Sequence, residues 1–190
     1  MPRTNDTRSR MVTSAALLIR ESGVGGTSFA RVLDHSKSPR GSISHHFPGG
    51  KQEMVVDAVA WAGSMAQKQM RQAVDAGASA REVFELVSGS YRDALVESDY
   101  SAGCPVGAAA LDGHQDEKLR RAIKAVFDDW REILDERLLA EGKGGQESRE
   151  LAELAVASVE GALLMARIDR SPDPVDAVRR QVSALLRASS

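Results

Sequence analysis

The stretch TSFARVLDHSKSPRGSISHHFPGGK, residues 27–51, decides how this chain is read. It holds two short apolar-periodic segments with a tight turn between them. Thr27 or Ser28 supplies a hydroxyl N-cap, and Phe29, Val32 and Leu33 behind it share one helical face. That segment stops near Ser36. Ser38 then offers a second N-cap, with Pro39 at the first helical position, where a missing N–H costs nothing. Ile43 and Phe47, spaced i, i+4, point inward, and Pro48-Gly49-Gly50 ends the helix. Two short helices joined by a turn on a basic segment predict a helix-turn-helix.

With Ile43 and Phe47 inward, a rotation of about 100° per residue turns Gly41, Ser42, Ser44 and His45 outward. Arg40 and His46 sit at the rim. Arg40 can grip a guanine edge bidentately or contact phosphate. Ser42 and Ser44 can hydrogen-bond either phosphate or base. His45 can donate to phosphate or guanine, and His46 suits phosphate or packing. Thr27 and Lys51 stand at helix starts, where free N–H groups and the positive dipole end favour phosphate. Arg3, Arg8 and Arg10 suit a mobile basic arm. Gly41 either lets the backbone approach DNA closely or merely softens a surface helix. His45 and His46 are adjacent and point apart on a helix, and His35 and His114 add no ligand spacing, so no metal site is expected.

The rest of the chain is also helical in pattern, and strand-like alternation is absent. Ahead of the motif a helix is expected from about Thr4 to Ser22, burying Met11, Ala15, Leu18 and Ile19. Gly23-Val24-Gly25-Gly26 links it onward. Downstream, helices are expected at about 51–76, 80–97, 104–111, 116–141 and 148–170, with Met65 on the buried side of the first. A last helix is capped by Asp173, with Pro174 at its first position. Residues 1–52 carry eight basic and three acidic side chains, a balance of +5. The remainder carries 17 basic and 24 acidic, a balance of −7. This asymmetry fits a nucleic-acid-binding end on an acidic body, and equally an accident of surface charge.

Composition excludes several classes. At 42% hydrophobic and 27% charged the chain is not disordered as a whole. Apolar runs fall short of the ~20 residues that a membrane span needs. The polar start, Met1 to Arg10, is no signal peptide, and the single cysteine, Cys104, forbids an intrachain disulfide. A cytoplasmic location fits these features. No nucleophile–base pair, phosphate-cradling loop or cofactor motif is visible, so neither catalysis nor a cofactor is expected.

Thr27-Ser28-Phe29 followed by residues 38–51 resembles the DNA-binding head of TetR-family repressors. The Pro39-Arg40-Gly41-Ser42-Ile43 and His46-Phe47-Pro48-Gly49-Gly50-Lys51 pieces look most like the branch typified by LmrA and YxaF. The resemblance is specific over about Met11 to Ala60. Gly103-Cys104-Pro105-Val106 and the stretch from Glu160 to Pro172 are similar as well. It implies an all-α homodimer: a DNA-binding head over residues 1–50, and an effector-binding and dimerisation domain over 51–190. Two departures stand out. Lys37 occupies a turn position where the family usually has glycine, so it either adds a phosphate contact or is strained. Ser44 replaces a usual aromatic.

The last two helices suit the dimer interface. Gly161 and Ala162 permit close approach, and Leu154, Leu163, Val178, Val182 and Leu185 supply burial, unless these stripes only face the chain's own core. Candidate effector-pocket residues are Trp61, Met65, Phe84, Tyr91, Cys104, Val106, Trp130 and Met165, each also compatible with ordinary core packing. Cys104 is either a redox sensor or a packing thiol. The expected function is a repressor that binds double-stranded operator DNA and is released by a small-molecule effector. The alternative is a helical adaptor with no DNA function.

Overall fold

The computed structural model describes residues 4–113 and 115–187. Arg3 of the expected arm, His114 and residues 188–190 lie outside the described residues. Within them the chain is all-helical, with nine α-helices, one 3-10 turn and no strand. No helix of the described part is long and apolar enough to cross a membrane. The chain divides into two compact units, one formed by residues 1–64 and 105–126, the other by 65–104 and 127–190. These are units of packing. The division at residue 50 is one of function and returns below as a proposal.

The first unit contains α1 (Thr4–Ser22), α2 (Phe29–Ser36), a 3-10 turn (Arg40–Ser42) and α3 (Ile43–His46). It also holds α6 (Pro105–Gly113) and the opening turns of α4 (Gly50–Asp75) and α7 (Glu117–Ala140). Helix α1 packs on both α2 and α6. Met11, Ala15, Leu18 and Ile19 form its buried stripe as expected, joined by Val12 and Ala16. Val32, Phe47, Met54, Ala58 and Val106 complete this core. Gly63 of α4 lies against Val126 of α7, so close that an added Cβ would overlap the valine side chain.

The second unit contains the remainder of α4 and α7, with α5 (Ala80–Glu97), α8 (Gly145–Asp169) and α9 (Asp173–Leu185). Helix α5 opens on a complete capping box: Ser79 Oγ accepts from Glu82 N, and the Glu82 carboxylate accepts from Ser79 N at 2.8 Å. Helices α5, α8 and α9 pack on one another around Val83, Phe84, Leu95, Ala155, Ala162, Val175 and Val182. Arg92 of α5 pairs with Asp176 of α9 at 2.6 Å. Arg71 of α4 pairs with Glu136 of α7 at 2.5 Å. Half-exposed pairs of this kind orient helices more than they stabilise them, contributing about 0–1 kcal/mol each.

Several expectations need correction. Helix α3 does not start at Pro39. The Ser38 hydroxyl is taken by Ser36 Oγ at 2.8 Å, Pro39 takes an extended ψ of 141°, and Ser42 N reaches back to Pro39 O as a 3-10 turn. Regular helix therefore begins one turn later. Ile43 is half-buried rather than fully inside. In α9, Ser171 Oγ accepts from Asp173 N at 3.1 Å, so Asp173 lies inside the helix and not at its cap. Met65, expected on the buried side of α4, is 45% exposed.

Candidate nucleic-acid interface

The two short helices are set by their caps. Ser28 caps α2, its Oγ accepting from Arg31 N at 3.3 Å. Thr27, the other candidate, is fully buried. Its hydroxyl donates to Gly23 O at 2.8 Å and its N–H to Val24 O, so neither faces outward as the sequence suggested. At the far end Lys37 adopts φ 53°, ψ 41°, the left-handed conformation that closes the helix. This is a position where glycine costs least and lysine is strained. Its ammonium stays in solvent, 3.6 Å from the Asp34 carboxylate.

Arg40, Gly41, Ser44 and His45 are exposed together along the 3-10 turn and α3. A side chain at Gly41 would meet nothing within 4 Å, so the open space there lies outside the protein. Ser42 is half-buried and its hydroxyl donates to Pro39 O at 2.5 Å, which commits it to the turn. His46 is buried, its ring edge-on to His45 at 5.0 Å. Burial first, then the neighbouring His45 and Arg8, hold its pKa below the usual histidine value, so His46 packs as a neutral ring. Lys51 is half-buried in the first turn of α4.

Beneath this surface lies a clasp that sequence reasoning missed. Arg8 of α1 was expected in a mobile arm. Its guanidinium instead stacks 5.1 Å from the Phe47 ring centre and pairs with Asp57 and, at 3.4 Å, Glu53 of α4. Its Nε donates to His46 O at 3.3 Å. The spacing of Glu53 and Asp57, i and i+4 on one face of α4, was the available signal. On the opposite side, Asp112 of α6 accepts from Gly25 N at 3.2 Å and steadies the link between α1 and α2.

In the second unit a cavity of about 40 Å³ is lined by Phe84, Tyr91 and Trp130 from the expected set. Val159 and Glu160 of α8 were missed, although Val156, Val159, Glu160 and Leu163 share a face on which the acid is the odd residue. Cys104 Sγ lies 3.7 Å from Tyr91 Oη, and its thiol hydrogen-bonds the Glu160 carboxyl. Trp61 and Val106 belong to the first unit, Val106 fully buried there. Met65 and Met165 are 45% and 60% exposed and line no part of the cavity.

Of the residues expected at a dimer interface, Ala162, Leu163 and Val182 are buried within the chain itself and Val178 is half-buried. Leu154, Gly161 and Leu185 face outward. With them stand Leu164, Met165 and Ile168, the last 85% exposed, so α8 carries an outward apolar stripe at intervals of three and four residues.

Residues 80–181 match the family model of the C-terminal domain of LmrA/YxaF-like transcriptional regulators. An HTH-type transcriptional regulator of Mycobacterium tuberculosis is 39% identical over 187 residues, covering 95% of this chain and 94% of the relative. The chain belongs to the TetR family, in its LmrA/YxaF-like branch. This TetR-family chain is also 25% identical to the regulator YxaF of Bacillus subtilis, over 96% of each. The TetR fold is matched by a solved regulator from Legionella pneumophila with a TM-score of 0.85 at 23% identity, covering 94% of this chain and 96% of that one. It is matched also by CifR, solved with 26-base-pair double-strand operator DNA, with a TM-score of 0.76 at 19% identity, covering 94% and 96%.

Proposed function

We propose that this TetR-family regulator is a cytoplasmic homodimeric repressor that grips operator DNA with its helix-turn-helix and releases it when a small molecule enters the second unit. Residues 1–50 make the DNA-binding part, and 51–190 bind effector and dimerise. The observation that carries the reading is the joint exposure of Arg40, Gly41, Ser44 and His45 on a short helix whose inner side is fixed by Phe47 and the Arg8 clasp. Small polar groups around one arginine, with empty space over Gly41, suit a major groove. Lys37 and Lys51 flank this surface and suit phosphates. Thr27, Ser42 and His46 support it from within and make no base contact. The operator DNA in the CifR structure is consistent with this reading at the level of fold.

A single head makes few base contacts. Two heads on a two-fold axis read half-sites about one helical turn or a multiple apart. The outward stripe of Leu154, Gly161, Leu164, Met165, Ile168 and Leu185 supplies the surface on which two copies join. The effector occupies the cavity beside Phe84, Tyr91 and Trp130. It releases DNA because it binds one of two forms of the dimer better than the other. The test is a gel-shift assay on DNA flanking the protein's own gene, repeated with a panel of small molecules. A salt-sensitive shift reversed by a panel member is expected. A chain that binds no DNA at low salt would be an adaptor instead.

A further inference from the structure

The wall of the effector cavity is apolar and aromatic except at Glu160, the Tyr91 hydroxyl and Ser88, whose hydroxyl donates to Phe84 O at 2.6 Å and accepts from Arg179 Nε of α9 at 3.2 Å. Phe84, Tyr91, Trp130 and Val159 present carbon surface, and Glu160 presents a carboxyl. Among the described residues that carboxyl pairs with no arginine, lysine or histidine, and its one hydrogen-bond partner is the Cys104 thiol. Part of the residue stays accessible, because it forms wall, while its carboxyl is crowded by protein. The other titratable groups facing it are Cys104, ahead of α6, and Tyr91 on α5. Helices α4 and α7 contribute Met70, Trp130 and Leu134 to the wall, none of them charged. A carboxyl in such a place lacks a countercharge, and an ion pair formed there is poorly screened.

We infer that the effector is an apolar, aromatic amine whose ammonium pairs with Glu160 while its ring lies against Phe84, Tyr91 and Trp130. The inference rests on the reading of this cavity as the effector site. Aromatic faces add attraction for a cation held near them. The cavity as folded, about 40 Å³, is far below the roughly 150 Å³ that admits a benzene ring. Binding must therefore spread the surrounding helices, which supplies the difference between free and bound forms that a switch requires. Burial raises the Glu160 pKa to about 7. The free carboxyl is thus largely protonated in mild acid, and a cation must displace that proton in order to bind.

Calorimetry with the full-length protein tests this, using 2-(1-naphthyl)ethylamine, the matched alcohol and 1-naphthylacetate. At pH 8 the amine should bind at least tenfold tighter than the alcohol, and the acid weakest of all. Amine affinity should fall about tenfold between pH 8 and pH 6, following the carboxylate fraction. Glu160→Gln should melt at or above the parent at pH 8, keep DNA binding, and bind amine and alcohol alike. An amine that binds no tighter than the alcohol, or a preference that survives Glu160→Gln, overturns the inference. If the alcohol binds equally well and still releases DNA, the effector site stands and only its charge selectivity falls. If Val159→Phe, which fills the cavity, folds and changes no probe's binding or DNA release, the cavity reading falls together with the inference.

Discussion

Lys37 shows how much one backbone angle can carry. A side chain in the left-handed region costs about 1 kcal/mol more than glycine, and Lys37 holds φ 53° with no compensating burial. Lys37→Gly should raise stability by up to about 1 kcal/mol in urea denaturation. It should also flatten the dependence of log affinity on log salt by about 1 for each lysine that meets a phosphate. Glu160 gives a pH prediction of definite sign. Its folded pKa, about 7, lies above the unfolded value of 4.5, so the native state binds the proton more tightly. Stability is fullest below pH 4.5 and is lost as pH rises through 7, by roughly 3 kcal/mol. Glu160→Gln should abolish that part of the pH profile in thermal melts. At this scale the sequence was only partly legible. It singled out Lys37 but could not decide between a contact and strain, and it assigned phosphate to Thr27. Two adjacent hydroxyls, Thr27 and Ser28, look equivalent until the turn that buries one of them is formed.

Helices were more legible because periodicity averages over many residues. The span Thr4–Ser22 and the span Ala80–Glu97 follow directly from apolar stripes and the glycines that end the segments, Gly23 and Gly77. The start of α3 was misread, since Ser38 and Pro39 have the composition of a cap and the tight turn at Arg40–Ser42 displaced it. Helix α8 was readable as a helix but not in its orientation. Ala155, Ala162 and Leu163 face the core while Leu154, Leu164 and Met165 face out, and with apolar residues on both sides no stripe is marked as inner. Two variants test the element scale. Gly63→Ala drives a methyl into Val126, a branched side chain with little room to yield, and should cost about 1–3 kcal/mol in chemical denaturation. Ser79→Ala removes half of the α5 capping box and should cost about 1 kcal/mol.

On the proposed reading the regulator acts as two copies that meet at its outward apolar surface. A double change of Met165→Asp and Ile168→Asp places charges on side chains that are 60% and 85% exposed in the single chain. The fold should tolerate it, because neither residue belongs to the core, whereas a dimer that buries both should come apart. Sedimentation at micromolar concentration is expected to give monomers for this variant and dimers for the parent, with unchanged helical circular dichroism. Monomers from both would end the dimer proposal. DNA reading by the surface around Arg40 is tested most directly by selecting bound duplexes from a random-sequence DNA pool. The expected result is enrichment of a palindrome with half-sites about one helical turn or a multiple apart, bound by Arg40→Ala roughly 5- to 150-fold more weakly, a loss of about 1–3 kcal/mol. No enrichment over the starting pool, or a palindrome that Arg40→Ala binds as tightly as the parent, would contradict it.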